Sequence, residues 1–458
     1  MQLFEHQKTI LDFHLDNHLS LDRSDVGVGK TPPAILYLKK QIEDYPATKA
    51  LIVCPNTILE NWEMEFQNWF DIKPVLLRGT RQKRTELLRS KKANVFIINY
   101  DGVRVIFDEL RTFGFDVIIA DEIHHIKNFR AAITKKMLTL AQTVNSRKGM
   151  TGTPILNSIE DVWSIAHFIN PYVFNMNYWG FRNRYLYNKN ANHPYKKFPD
   201  WQPKPGAVEE IATKIASISI RFSKKEVLKW LPPVLKTTRY VDLSPEQEAF
   251  YEDLRIKTLA ELNGEVISIP KILPRINKLL QVTSGFMYRD GEGAAHYFKP
   301  NAKLDELLQI LEEVRESRVL IWTAYVEDAF LLRHALHPKY KVKSISGALA
   351  ASERLEVCQQ FNKDEYQILV ATTASASEGL TILAPYVIYF SRSWKLGERL
   401  QSLGRFDRPG SERYENITVI DLVARKTLDK KVLLALEQKQ DLLTQINGDK
   451  IREILWNQ

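Results

Sequence analysis

The chain has 458 residues, enough for about two to four domains around a sizeable core. Hydrophobic residues make up 44% and charged residues 26%, no apolar run approaches the ~20 residues that span a bilayer, and Met1-Gln2-Leu3-Phe4-Glu5-His6 lacks the plan of a secretory signal. Two cysteines, Cys54 and Cys358, support neither a disulfide framework nor a zinc site, and a net charge of +9 permits a polyanionic partner without requiring one. The expectation is an intracellular protein that is not secreted and has no membrane partner.

An N-terminal helical segment comes first and carries Gln7. A glutamine amide can donate to and accept from one edge of adenine, although a glutamine standing alone is usually a surface residue. Ser24-Asp25-Val26-Gly27-Val28-Gly29-Lys30-Thr31 follows, just ahead of a run with helical spacing, Ala34 to Lys39. A loop ending Gly-Lys-Thr at a helix start turns backbone N–H groups toward a triphosphate, with Lys30 on the outer phosphates and Thr31 on magnesium. Ser24 stands where the first glycine of that pattern belongs, so a plain Gly-rich turn is the alternative for the loop alone.

Ala50-Leu51-Ile52-Val53-Cys54-Pro55 predicts a buried strand stopped by proline, and Asn61 to Phe70 an amphipathic helix whose aromatics belong to the core. The basic stretch Arg78 to Lys92 suits either phosphate contact or a solvated helix face. A second strand covers Val95 to Tyr100, and a third, Phe115 to Ala120, runs into Asp121-Glu122. Carboxylates at the end of an apolar strand sit at the sheet edge where open α/β folds bind ligands. Asp121 would hold Mg²⁺ through water, and Glu122 would orient and deprotonate an attacking water. With the loop, this makes a nucleoside triphosphatase the leading class. Thr151-Gly152-Thr153-Pro154, a hydroxyl-bearing turn after a strand, could sense a γ-phosphate, although standing alone it reads as a plain Gly-Pro turn.

Gln7, Asp25 to Thr31, Leu51 to Trp62, Asp121-Glu122-Ile123-His124-His125-Ile126-Lys127-Asn128 and Thr151 to Asn157 together resemble the first lobe of the Swi/Snf-type branch of superfamily-two helicases. The resemblance implies an α/β fold of two RecA-like parallel-sheet lobes with helical insertions between them. Residues 1–170 would form the first lobe, 171–300 helical protrusions and a linker with a Pro-rich hinge near 231–235, and 301–458 the second lobe with a terminal brace helix. It also implies ATP and Mg²⁺ as cofactors, double-stranded DNA as a partner held through its backbone without sequence preference, and a cytoplasmic or nucleoid-associated location. Protein partners are not implied.

Under the same resemblance, the aromatic and basic segment Tyr178 to Tyr187 is a protrusion near DNA, or else a helix packed by its aromatic face. Arg221 to Pro233 resembles the family's basic string ending in Leu-Pro-Pro, a stiff connector because proline fixes φ. Ser244-Pro245-Glu246-Gln247 opens a helix as a capping box. Strands at Arg318–Thr323, Ser344–Gly347 and Gln367–Thr372 predict a second parallel sheet, with Arg354 and Phe361 on an intervening helix. Ser375 to Thr381 resembles a motif for DNA contact and lobe coupling, and Gln401 to Gly410 one that delivers arginine fingers. Arg405 and Arg408 are one turn apart at helical spacing, so both can point at one γ-phosphate. Leu428, Val432, Leu436, Leu443 and Ile446 predict the brace helix.

The resemblance thus nominates Lys30, Asp121, Glu122, Arg405 and Arg408 as catalytic. It nominates Gln7, Asp25, Gly27, Gly29, Lys30, Thr31, Glu378, Gly379 and Gln401 for nucleotide binding, with Thr31 and Asp121 for the metal. Lys127, Asn128, Arg182, Arg184, Ser375 and Thr381 are nominated for nucleic acid. The function it implies is ATP-dependent translocation on duplex DNA. Fork remodelling, annealing, strand separation on DNA or RNA, and a nucleotide-gated regulator with little turnover stay open as alternatives.

Overall fold

Apolar runs of about five residues alternate with amphipathic helices in both halves of the chain, the pattern that a parallel sheet covered on both faces requires. The computed structural model describes residues 2–90, 92–152, 159–191, 199, 201–262, 269–288, 295–376 and 380–438. Two units divide between Lys229 and Trp230.

The first unit holds β1 (Leu19–Asp22), β2 (Ala50–Cys54), β3 (Val75–Leu76), β4 (Val95–Asn99), β5 (Val117–Asp121), β6 (Ser146–Met150), β7 (Leu186–Asn188), β8 (Trp201–Pro203) and β9 (Ser219–Ile220). Apart from the antiparallel β7–β8 ribbon they form one parallel sheet, ordered β3-β4-β2-β5-β6-β1-β9. Because successive side chains leave a strand on opposite faces, β2 and β4 divide cleanly. Leu51, Val53, Phe96 and Ile98 join one core with Val103, Met137 and Phe168. Ala50, Ile52 and Ile97 join the other with Ile35, Leu38, Trp62 and Phe66 from helices Thr31–Asp44 and Leu59–Trp69. Each such aliphatic or aromatic side chain contributes about 1.5–3 kcal/mol by leaving water.

The second unit holds β10 (Val234–Val241), β11 (Phe286–Tyr288), β12 (Ala295–Tyr297), β13 (Val319–Thr323), β14 (Val342–Ile345), β15 (Ile368–Thr372), β16 (Tyr386–Tyr389) and β17 (Ile417–Ala424). Its parallel sheet runs β10-β17-β16-β13-β15-β14, with β11–β12 a separate antiparallel ribbon. Strand β10 pairs with β17 along all eight residues and follows directly on Pro232-Pro233. Its Val-Leu-Lys-Thr-Thr-Arg-Tyr-Val sequence does not read as a buried strand because it is an edge, half exposed to water.

Ser244 and Gln247 form the expected capping box: the Gln247 N–H donates to Ser244 Oγ and the Ser244 N–H donates to Gln247 Oε1, both at 3.4 Å. The terminal helix spans Leu428–Glu437, and Leu428, Val432 and Leu436 pack with Tyr251, Leu254 and Leu279 inside the second unit. Leu443 and Ile446 lie outside the described residues. A buried charge cluster fixes this helix to the sheet: Lys303 meets Asp429 at 2.6 Å, Arg392 meets both Asp429 and Asp421, and Arg399 grips Asp421 with two bonds of 3.0 and 2.7 Å. Cys54 and Cys358 are buried and are not joined in a disulfide. No described helix is long and apolar enough to cross a membrane.

Strand β6 carries a fully buried lysine. Lys148 donates from Nζ to the His14 carbonyl at 2.7 Å and to the Asn17 carbonyl, and lies 4.2 Å from the Tyr37 ring centroid. Burial pushes the ammonium down to about 7, against about 10.4 for a solvated lysine. Between those values the unfolded chain binds the extra proton, so stability rises with pH. The stability difference between the natural chain and Lys148→Met is therefore expected to shift in favour of the natural chain from pH 7 to 10. Urea unfolding across that range measures it, and a flat difference would refute it.

Candidate functional site

Strands β5, β6 and β1 are neighbours, and their register aligns Asp121 with Met150 and Met150 with Asp22. The carboxyl ends of the three strands thus form one row, the ligand-binding edge of a parallel sheet. From β1 the chain enters the loop ending at Lys30, and the helix Thr31–Asp44 begins at once. Pro32 and Pro33 fit the first turn, where N–H groups have no helical partner, and of the first three helical positions they leave only Thr31 with a donor.

The loop is fastened from two sides. On one side His6 Nε2 meets the Val28 carbonyl at 2.9 Å, and the Gln7 amide donates to the Gly29 carbonyl at 2.9 Å while accepting from Phe4 N–H at 2.9 Å. Gly29 has φ +80°, and a Cβ there would lie 2.4 Å from Gln7 Nε2, so only glycine fits. On the other side the chain beyond β9 runs alongside. Arg23 N–H donates to Ile220 O at 2.9 Å, Asp25 N–H to Phe222 O at 3.0 Å, Phe222 N–H to Ser24 Oγ at 3.0 Å and Lys224 N–H to Asp25 Oδ2 at 3.0 Å. Gln7 and Asp25, nominated as nucleotide contacts, thus act as fasteners here. Each amide atom of Gln7 keeps one further bonding site, a second N–H on Nε2 and a second lone pair on Oε1. Lys30 Nζ donates to the Ser24 and Asp25 carbonyls at 2.9 and 3.1 Å, folded over its own loop.

At the end of β5, Asp121 is buried with every oxygen engaged. Oδ1 accepts from Glu122 N–H at 2.9 Å, Oδ2 from Trp62 Nε1 at 2.9 Å, and the main-chain carbonyl from the Tyr100 hydroxyl at 2.7 Å. Burial first, and the Glu122 charge second, push its carboxyl up to about 7, against the opposing pull of Trp62 and Lys30. A cation at this carboxylate offsets that penalty. One carboxylate, the Thr31 hydroxyl, waters and substrate phosphates are a set that suits Mg²⁺, so the residues present fit it. Among the described residues no cluster of three or more His, Cys, Asp or Glu exists for a metal held by protein alone.

Glu122 sits at φ +48°, ψ +51°, a left-handed conformation that a non-glycine residue adopts only when its surroundings enforce it. Its Oε2 lies 3.2 Å from His124 Nδ1 and accepts from the Thr151 hydroxyl at 3.4 Å, and His124 and Thr151 are 3.3 Å apart. Gly152 allows this approach, since a Cβ there would lie 2.4 Å from Val26 Cγ2 of the loop. The turn after β6 therefore touches both the loop and Glu122.

In the second unit, Gln401 and Arg405 are buried on helix Leu396–Phe406. The helix ends at Phe406, with Asp407 at φ −88°, ψ +79°, so the helical-spacing argument for Arg408 fails. Both arginines nevertheless converge by another route: Arg405 and Arg408 donate to the Leu380 carbonyl at 3.4 and 3.3 Å, and Arg408 also to Thr381 Oγ1 at 2.9 Å. Thr381 thus orients an arginine. Ser375 is buried, with its hydroxyl on Thr372 and its carbonyl accepting from Arg354 at 2.6 Å. Glu378 and Gly379 lie outside the described residues. Of the remaining nominated residues, Lys127 pairs with Asp161 at 3.2 Å and Arg184 with Glu210 at 2.9 Å. Asn128 Oδ1 accepts from Arg130 N–H at 3.0 Å, and Arg182 stacks on Trp179 and Trp201.

Residues 15–284 match the model of the SNF2-related domain, and residues 302–410 that of the helicase conserved C-terminal domain. The chain belongs to the SNF2-related family. The resemblance carried by its motifs is met. Relatives include YwqA of Bacillus subtilis, 27% identical over 92% of this chain and 46% of its own length. Another is the ISWI chromatin-remodeling complex ATPase ISW1 of Saccharomyces cerevisiae, 23% identical over 94% of this chain and 39% of its own. The chain spans less than half the length of these curated relatives. Among solved structures, the Sulfolobus solfataricus SWI2/SNF2 ATPase core in complex with dsDNA aligns over 99% of this chain and 95% of that one, with 24% identity and a TM-score of 0.46.

Within this SNF2-related chain, sequence reading assigned Trp62 to the core and overlooked Tyr100. An aromatic on an amphipathic helix looks the same whether or not its N–H meets a carboxylate, so spacing held no signal. His124 and Thr151 stood inside quoted motifs without being named as site residues. Trp62→Phe keeps the ring and removes the donor, leaving Asp121 Oδ2 without its hydrogen bond. The expected loss is about 1–3 kcal/mol of stability, read as a lower urea midpoint with unchanged slope. An unchanged midpoint would show that the bond contributes nothing.

Proposed function

We propose that the chain is an ATP-dependent translocase on double-stranded DNA. The observation that carries this is the convergence on one sheet edge of the loop ending at Lys30, the Asp121-Glu122 pair and the Thr151 turn, in a chain of the SNF2-related family.

In this reading Lys30 leaves the Ser24 and Asp25 carbonyls and takes the outer phosphates, as a point charge that follows them. Glu122, held by Thr151 and His124, accepts the proton of the attacking water. Thr31 and Asp121 would hold magnesium, which when bound would supply positive charge against the phosphates. Arg405 and Arg408, already gathered at one carbonyl, supply planar cations for a transition state whose charge is spread over phosphoryl oxygens. The turn after β6 reports the state of Glu122 to the loop through Gly152 and Val26. Cycles of closure and release become steps along the DNA backbone, gripped without base readout.

The test is ATP hydrolysis titrated with duplex DNA, single-stranded DNA and RNA at fixed salt, alongside triplex displacement. Duplex is expected to stimulate hydrolysis strongly and triplex displacement to require ATP. A rate indifferent to duplex would overturn the translocase reading while leaving the nucleotide site standing. Lys30→Ala is expected to abolish hydrolysis, and Glu122→Gln to reduce it by about 10²–10⁴-fold. Arg405→Ala is expected to lower kcat with little change in nucleotide affinity. Unchanged hydrolysis in Arg405→Ala would remove the finger assignment.

A further inference from the structure

The cationic side chains that sequence reading nominated for nucleic acid separate by their partners. Lys127 and Arg184 are each held by a carboxylate. Arg182 is not, and neither is Arg130, which no motif nominated: among the described residues neither has an acidic group within ion-pair distance. Both instead lie against aromatic rings. The Arg182 guanidinium is 4.5 Å from the Trp179 ring centroid and 4.1 Å from that of Trp201. Arg130 is 5.3 Å from Phe129 and 6.0 Å from the same Trp179.

The platform beneath them is rigid. Helix Tyr178–Tyr185 starts at Asn177, whose side chain accepts from Gly180 N–H at 2.8 Å. Phe181 and Tyr185 are buried and pack edge-on against Phe174, so Trp179 and Arg182 occupy the outer face, three residues apart. Trp179 is 48% exposed although it is the largest apolar side chain of the helix. Asn128 sets Arg130 through the 3.0 Å bond from its N–H. A guanidinium held over a ring by its face keeps its terminal N–H groups for oxygen acceptors, although Arg182 Nε itself is buried, and a cation already held on a ring loses less freedom on binding. Sharing one indole bounds the two cations to about 10 Å apart, a few nucleotide steps along one strand.

We propose that Arg130 and Arg182, carried on Phe129, Trp179 and Trp201, form a phosphate clamp on the first unit for the backbone of duplex DNA. The clamp rests on the translocase reading above and adds to it the residues that grip. Lys127 and Arg184 are not part of it. Asn128 acts as a positioning residue, fixing Arg130 rather than meeting DNA.

The experiment is fluorescence anisotropy of a labelled mixed-sequence duplex over a series of salt concentrations, on the full chain. Hydrolysis of ATP without DNA and thermal melting check each variant's fold. Arg130→Ala, at an exposed position, is expected to weaken binding and to lower the slope of log affinity against log salt by about one, and adding Arg182→Ala by about one more. Trp179→Ala keeps both charges and is expected to weaken binding with a smaller change in slope. Arg184→Ala, whose charge already has a partner, is expected to change affinity by less than about twofold. If Arg182→Ala fails to fold, Arg130→Ala alone decides. Binding by the natural chain with unchanged affinity and slope in the arginine variants overturns the clamp and leaves the translocase reading intact. Absence of duplex binding by the natural chain overturns both.

Discussion

The phosphate loop does not close on itself. Its shape depends on two segments about two hundred residues apart in the chain, His6-Gln7 on one flank and Ile220 to Lys224 on the other. Four main-chain or side-chain bonds on the second flank make the stretch after β9 a continuation of the sheet edge that runs beside the loop. That stretch leads within a few residues to the division between the two units at Lys229 and Trp230. A change in loop conformation therefore strains hydrogen bonds at the root of the connector. Partly buried bonds of this kind are costly to leave unmade, so loop and connector are expected to move together.

The second constraint is electrostatic. Asp121 and Glu122 stand adjacent at a strand end, where burial and the neighbouring Glu122 charge oppose ionisation of Asp121. The fold answers with donors: Trp62 and the Glu122 N–H on Asp121, Thr151 on Glu122, and Lys30 nearby. These donors hold the carboxylates in fixed directions before any ligand arrives, the preorganisation that electrostatic catalysis requires. The left-handed backbone at Glu122 belongs to the same arrangement, since it turns the second carboxylate toward the Thr151 turn.

Much of the architecture was legible because its signals are local. Five-residue apolar runs, the Gly-Lys-Thr loop and the strand ending in Asp121-Glu122 are written within short windows. The misleading places were those where burial and polarity disagree. Strand β6 is Ser-Arg-Lys-Gly-Met, central in its sheet, and its Lys148 is tolerated because two carbonyls and the Tyr37 ring receive the ammonium. Arg408 looked like a helical partner of Arg405, yet the helix ends between them and a shared carbonyl brings them together. Gln7 and Asp25, nominated for nucleotide, also fasten the loop, a second task that their place in the motif did not announce.

The sequence by itself determined the class of the fold, the alternation of its most apolar strands with helices, and the chemical groups available for phosphate chemistry, because periodicity and motif spacing depend on neighbours along the chain. It also sufficed to place the chain in its family. Tertiary structure decided which polar side chains face outward and which hold others in place. It paired Trp62 with Asp121, set Arg130 and Arg182 against aromatic rings while tying Lys127 and Arg184 to carboxylates, and tethered the loop to Phe222. Such pairings depend on distances between residues remote in the chain, and a side chain's type reveals what bond it can make without revealing which partner reaches it first.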